Sequence, residues 1–183
     1  TYKLIKAEHP NWNKVKIKRA VNLYKKYPKW NDKKIKLEVD YPGCFTNFIE
    51  FCKKANPEVL KQVINEGVRI KKQNKKGITP LLAAGKDNSN EKVVRILIQN
   101  GARVNFQTKD SGTPLMRAVA KNNNPKVVKA LISCGANINF SKKGINALLV
   151  SIIEERPEMT KVLLKNGAKV NEILRDDLPP LFW

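Results

Sequence analysis

The sequence predicts an all-α solenoid of stacked helix-turn-helix units behind an N-terminal helical cap, and three observations carry that expectation. First, Gly-Ile-Thr-Pro-Leu at 77–81 returns as Ser-Gly-Thr-Pro-Leu at 111–115, as Gly-Ile-Asn-Ala-Leu at 144–148, and in outline as Asp-Leu-Pro-Pro-Leu at 177–181. Second, Asn-Gly-Ala-Arg-Val-Asn at 100–105 recurs as Cys-Gly-Ala-Asn-Ile-Asn at 134–139 and Asn-Gly-Ala-Lys-Val-Asn at 166–171. Third, the step is nearly constant: Pro114 is 34 residues after Pro80, Ala147 is 33 further on, and Pro180 another 33. A fixed period of this size is the mark of a stacked repeat architecture.

Each unit can be built from its residues. Thr79-Pro80 starts a helix, because Thr caps free N–H groups and Pro has no N–H to leave unpaired there. A short apolar helix follows through Leu81, Leu82, Ala83 and Ala84. A polar stretch breaks the chain at Lys86-Asp87-Asn88-Ser89-Asn90, at Lys121-Asn122-Asn123-Asn124-Pro125, and at Glu154-Glu155-Arg156-Pro157. Two of these loops are expected to carry a one-residue insertion, those of the second and third units. A second helix then shows apolar residues at helical spacing: Val93, Val94, Leu97 and Ile98, then Val127, Val128, Leu131 and Ile132, then Val162, Leu163 and Leu164. Gly101, Gly135 and Gly167 end it in a left-handed conformation, and the residues up to the next Thr-Pro project as a turn. One such unit cannot bury its own apolar face, but a stack can.

The boundaries follow. Residues 1–42 are a basic helical region, read as a cap or the remnant of an upstream domain. Residues 43–76 are a degenerate repeat, with 46–52 as its first helix and 57–64 as its second. Full repeats span 77–110, 111–143 and 144–176, and a partial one 177–183. In the leader, Asn13 to Tyr27 reads as a helix stopped by Pro28, and 30–40 as a shorter one before Tyr41-Pro42-Gly43. Ile17, Tyr24, Trp30, Ile35 and Leu37 are expected to cover the open end of the stack. Leu181, Phe182 and Trp183 either fold back over the last unit or precede further chain. An opening Thr in place of Met is what a fragment is expected to show.

Thr-Pro-Leu followed about twenty residues later by Gly-Ala-x-Val/Ile-Asn resembles the ankyrin repeat, over about 77–183. The position after Thr-Pro-Leu, commonly His in that family, is Leu82, Met116 and Leu149 here. The resemblance implies a concave groove of first helices and turn tips that holds a protein partner. Matching register puts Ala83, Arg117 and Val150 at the outward position of the first helices, and Lys86, Lys121 and Glu154 near their ends. Lys75, Gln107, Lys109, Ser141 and Lys142 fall on the turns. Arg117, an arginine among small apolar neighbours, is the expected anchor. Phe106 and Phe140 are expected to stack on one another between turns. The Lys-, Asn- and Ile-rich composition and the repeats are similar to ankyrin effectors that intracellular bacteria release into host cells, which implies work in host cytoplasm or nucleus.

Charge narrows the partner. The 183 residues hold 36 basic and 16 acidic side chains, net +20. Residues 1–76 contribute 20 basic and 7 acidic, and residues 1–36 alone 12 against 2. Such a field draws acidic partners. In register, Lys61, Arg95, Lys129 and Lys161 form a basic stripe on the outer helices, chiefly a solvated face. Its alternative use is as a track for RNA, DNA or acidic lipid. No aromatic interleaves it, and Lys outnumbers Arg 29 to 7, whereas base and bidentate phosphate recognition lean on Arg.

Catalysis finds no constellation. His9 is the single histidine, beside Pro10 in the leader, and Cys44, Cys52 and Cys134 lack metal-ligand spacing, as expected of reduced thiols in an intracellular compartment. Every glycine reads as a helix stop or a turn, so no phosphate-cradling loop is expected. No apolar run approaches the ~20 residues that span a bilayer. The expectation is a monomeric, non-catalytic module without metal, cofactor or small-molecule substrate, binding an acidic protein. A polyanion binder is the alternative, and the non-catalytic part of a larger effector enzyme the third reading.

Overall fold

The computed structural model describes residues 2–108 and 112–170. Among them are eleven helices and no strand: α1 (Tyr2–Glu8), α2 (Lys14–Lys26), α3 (Asp32–Asp40), α4 (Phe48–Cys52), α5 (Pro57–Asn65), α6 (Pro80–Asp87), α7 (Glu91–Gln99), α8 (Pro114–Lys121), α9 (Pro125–Ser133), α10 (Ala147–Ile153) and α11 (Pro157–Lys165). Two layers result. Helices α4, α6, α8 and α10 pack side by side, and α5, α7, α9 and α11 form the row behind them. The partial fifth unit, 177–183, with Leu181, Phe182 and Trp183, lies outside the described residues.

The caps work as the residue types require. Thr79 and Thr113 accept hydrogen bonds from the amides of Leu82 (3.2 Å) and Met116 (3.3 Å). In the third unit Asn146 replaces Thr and accepts from Leu149 N at 2.8 Å. Leu81, Leu97, Leu115, Leu131 and Leu163 are fully buried in one continuous core running from Leu37 to Leu163. Each such leucine contributes on the order of 2 kcal/mol through the apolar area it removes from water.

A second device joins the units. The last carbonyls of a helix have no partner within it, and here the following unit supplies one. Asn88 Nδ2 donates to Cys52 O (3.0 Å) and Ala55 O (3.1 Å), and Asn122 Nδ2 donates to Gly85 O and Asn88 O, both at 2.9 Å. Asn88 and Asn122 are themselves buried. Thirty-four residues after Asn122 the rung becomes Arg156, whose guanidinium donates to Ala120 O, Asn122 O and Asn123 Oδ1. The expected insertions are not found. The loop between α8 and α9 matches that between α6 and α7, and the third unit keeps that loop length but is one residue shorter in its first helix, with 7 residues against 8. Its helix α10 stops at Ile153, Glu155 takes a left-handed φ of 52°, and the long arginine spans what an asparagine would not.

The leader differs from expectation in two respects. It contains a third helix, α1, and it has a core of its own: Ile5, Ile17, Ala20, Leu23, Ile35 and Val39, with Tyr24 and Trp30 against it. Of the residues expected to cover the stack, Leu37 enters the array core, and Trp30 meets Phe45 edge-on at 5.4 Å. The other three face the leader's own interior. Two carboxylates make the joint. Glu38, 1% exposed, accepts from Gly43 N, Phe45 N, Thr46 Oγ1 and Cys44 Sγ, with Arg19 at 3.8 Å. Glu66, at the end of α5, accepts from Asn31 and pairs with Lys33 at 3.0 Å, while its backbone carbonyl takes Lys34 Nζ.

One glycine departs from its expected role. Gly85 lies inside α6, not at a stop or turn. A Cβ there would rest 3.6 Å from Pro114 O and 3.8 Å from Leu131 Cδ1, ordinary contact distances. Gly85→Ala is therefore expected to raise the unfolding free energy by about 0.5–1 kcal/mol, since alanine loses less backbone entropy in a helix; urea denaturation followed by circular dichroism would show it. By the same assay Asn122→Ala should lower stability by about 2–4 kcal/mol, because it leaves buried carbonyls unpartnered. Ser89→Ala on the neighbouring exposed loop should stay within about 0.5 kcal/mol.

Candidate partner-binding groove

Along the first helices solvent reaches Arg117, Ala120 and Lys121 on α8 and Leu149 and Val150 on α10, while α6 opens only at its end, at Lys86 and Asp87. The turn after α7 closes with a bridge between Thr108 and Gly112, and the one after α9 with a bridge between Lys142 and Ile145.

The middle of the groove holds a recess of about 630 Å³. Six of the residues that register placed along the groove line it: Lys86, Arg117, Lys121, Lys142, Val150 and Glu154. Its floor is apolar, from Met116, Ala120, Ile145 and Val150, and its rim is polar, with Lys143 and Glu154 completing it. Gly112 makes the floor possible. It has φ +67°, and a Cβ there would come within 2.7 Å of Met116 Sδ. The rim contacts are specific. Lys121 Nζ meets Glu154 Oε2 at 2.8 Å, Lys86 lies 3.5 Å from Asp87, and Lys142 Nζ donates to Thr108 O. Lys143 is exposed and carries φ +52°, a conformation that disfavours a side-chain-bearing residue by about 1–2 kcal/mol.

Arg117 is the exception to this pairing. Its residue is half-buried on α8, and its Nη1 atom is buried with no hydrogen-bond partner, the single such side-chain atom among the described residues. An unsatisfied buried donor is unfavourable by about 1–3 kcal/mol, more for a charged group. Such an atom in an otherwise satisfied structure calls for an explanation.

The remaining expected residues scatter. Lys75 lines a second recess of about 470 Å³ at the leader end of the groove, beside Trp30, Phe45 and Lys34. Lys34 Nζ there sits 5.4 Å over the Trp30 ring and 4.7 Å over that of Phe45. Gln107 and Ser141 are exposed on their turns, and Lys109 lies outside the described residues. Ala83 is a correction: expected to point outward, it is 2% exposed, because α6 is flanked on both sides by α4 and α8 and a methyl group does not reach past them. Phe106 and Phe140 form no ring pair with each other among the described residues, and Phe140 packs on the array core instead. The basic stripe is interrupted. Lys61, Lys129 and Lys161 are exposed, Lys61 pairing with Glu58, but half-buried Arg95 donates to Ser133 Oγ at 2.9 Å and touches Cys134 Sγ.

Elsewhere, the chemistry of the titratable groups is structural. Cys44, Cys52 and Cys134 are free thiols. Burial, and for Cys44 also the adjacent Glu38 charge, pushes the Cys44 and Cys52 thiols far above their usual range, away from a reactive thiolate. His9 stacks on Trp12 at 3.9 Å. Among the described residues no group of three metal-ligating side chains assembles, and no helix is long and apolar enough to cross a membrane.

Sequence reasoning missed Lys143, Glu38 and Arg156. The signal for Arg156 was present, since it stands 34 residues after Asn122 as Asn122 stands after Asn88. For Glu38 there was none, because most of its partners are amides and side chains of the loop that follows it, which no periodicity marks.

Paired helices in two stacked layers, with a groove along the first, define a helical-repeat recognition protein. The chain matches the family model described as ankyrin repeats (three copies) over residues 48–142 and 82–174, more than half its length, and it belongs to the ankyrin-repeat family. That makes it a protein-protein interaction module. Comparison with curated proteins gives no match.

Arg117→Met keeps the hydrocarbon packing while removing the orphaned donor. It is expected to raise the unfolding free energy by about 1 kcal/mol in urea denaturation. Met116→Ala, one residue away in the floor, should lower it by about 2 kcal/mol or more.

Proposed function

We propose that the chain is a non-catalytic, monomeric module that holds an acidic protein partner in the groove, with Arg117 as the anchor. The observation that carries this is the recess on α8, lined by Arg117, whose Nη1 is buried without a partner, and by lysines from two successive units. Such a group gains most from a ligand acceptor, because it has already lost its water. The excess of base over acid draws an acidic surface toward the groove and hastens encounter. The polyanion reading has less support, since the outer stripe is interrupted where Arg95 is held by the next repeat. The high thiol pKa values of Cys44 and Cys52 support the non-catalytic reading.

The test is capture from eukaryotic cell lysate on the immobilised chain, with nuclease and after a high-salt wash. A discrete protein should be retained by wild type and by Lys161→Glu, and lost by Arg117→Glu. Loss of everything with nuclease or salt would overturn the reading in favour of a polyanion binder, whose affinity falls steeply with ionic strength.

A further inference from the structure

The recess of about 470 Å³ at the leader end is built by two parts of the chain. The leader supplies Trp30 and Lys34, and the first repeat supplies residues 45–49 and the turn at 67–69 and 72–75. It shares no lining residue with the recess at Arg117.

Its turn is the most basic of the three that join successive repeats. Residues 66–79 hold Arg69, Lys71, Lys72, Lys75 and Lys76 against Glu66 alone. The equivalent stretches hold two basic residues each, Arg103 and Lys109 at 100–113 and Lys142 and Lys143 at 134–146. Glu66 is taken up by Lys33 and Asn31 on the leader, and no carboxylate lines the recess. Lys34 is engaged as well, donating to Glu66 O at 3.1 Å and lying over the Trp30 and Phe45 rings. Arg69, Lys72 and Lys75 are not. They line the recess, are exposed, and their side chains make no hydrogen bond or ion pair among the described residues.

The rest of the lining narrows what those cations meet. Asn47 precedes α4 without capping it, and Gln73 lies on the turn. Both are exposed, and their side-chain amides make no hydrogen bond among the described residues. Such an amide offers donors and an acceptor together, the complement of a peptide unit. Phe48, Ile49 and Val68 add an apolar wall that suits one carbon side chain. Single-stranded nucleic acid binds largely by stacking bases on aromatic rings. Here the rings are already used: Trp30 stacks on Tyr27 at 4.3 Å, meets Phe45 edge-on, and both lie beneath Lys34.

We infer that this recess is a docking site for an extended acidic segment of a protein, seating one apolar side chain between carboxylates. The leader is thereby part of a binding surface as well as the end of the stack. The inference goes beyond the groove reading and does not depend on Arg117.

The experiment is an amide NMR titration of the full chain with the peptide Glu-Asp-Glu-Phe-Asp-Glu. It is run at about 0.15 M salt, where exposed charges more than about 8 Å apart are largely screened. Saturable shifts are expected in 45–49 and 67–75. Arg69→Gln/Lys72→Gln should weaken binding about tenfold, through lost charge-assisted hydrogen bonds. Lys126→Gln/Lys165→Gln removes the same charge from α9 and α11 and should change affinity by less than about twofold. Glycine in place of the peptide's Phe should weaken binding about tenfold through lost apolar burial. Should Arg69→Gln/Lys72→Gln fail to fold, Lys75→Gln alone should weaken binding about threefold. The inference falls if no saturable shifts appear in these segments, if the charge-matched control weakens binding equally, or if the glycine peptide binds as well. Tighter binding of a short oligothymidylate through the same signals would replace it with a nucleic-acid site. None of these outcomes involves Arg117, so the groove reading stands or falls separately.

Discussion

The array depends on how each unit closes the open end of the one before it. A first helix of five to eight residues leaves carbonyls at its C-terminus that it cannot pair itself, and stacking buries them. The side chains of Asn88, Asn122 and Arg156, at an interval of 34 residues, insert between the loops and donate to those carbonyls. A second ladder runs along the turns. Asn105 donates to Gly135 O and accepts from Asn137 N, and Asn139 does the same with Gly167 O and Lys169 N. Apolar packing alone would let neighbouring units slide, because hydrophobic contact is non-directional. The amide ladders fix the register, and the register sets which side chains meet in the groove.

The acidic residues matter by their scarcity. Glu38 is enclosed by the loop that follows it, and Glu66 is held by Asn31 and Lys33, whose partnership keeps its carboxyl below the usual range. Both serve the joint between the leader and the first repeat. Asp87 and Glu154 are taken up by lysines beside the groove. With acids in the minority and these four committed to internal partners, the groove between the two recesses is left cationic. The charge of the binding face thus follows from where the few carboxylates are used.

Most of the fold was legible because the repeat repeats. Thr-Pro starts, glycine stops and apolar spacing agree across copies, so helix positions from α4 to α11 fall close to their observed bounds. Of the residues that register placed along the first helices and turns, Lys86, Arg117, Lys121, Lys142 and Val150 line one recess. Ala83 did not, because outward register on an inner helix means exposure only for a side chain long enough to clear its neighbours. The leader was less legible. Tyr2–Glu8 shows no clear apolar period, and its one buried residue, Ile5, finds its core only in three dimensions. Arg95 shows the opposite failure: a residue that reads as a solvated stripe is folded onto the next repeat by a hydroxyl that no periodicity marks.

The unsatisfied guanidinium of Arg117 is intelligible in this architecture. In a repeat array each unit contacts only its neighbours, so stability is roughly a sum of local terms. A penalty on α8 is met where the packing can bear it. Met116 and Leu115 lie buried beside it, and the Asn122 rung joins its end to α6. The unit built on α10 has fewer such resources: α10 is short, Glu155 is strained, and Ile153 and Leu164 are exposed. A donor kept dry and unpaired needs rigid support, since any slack would let water or a nearby carbonyl reach it. A unit packed on both sides is therefore where an unsatisfied arginine can persist, and α8, between α6 and α10, is such a unit.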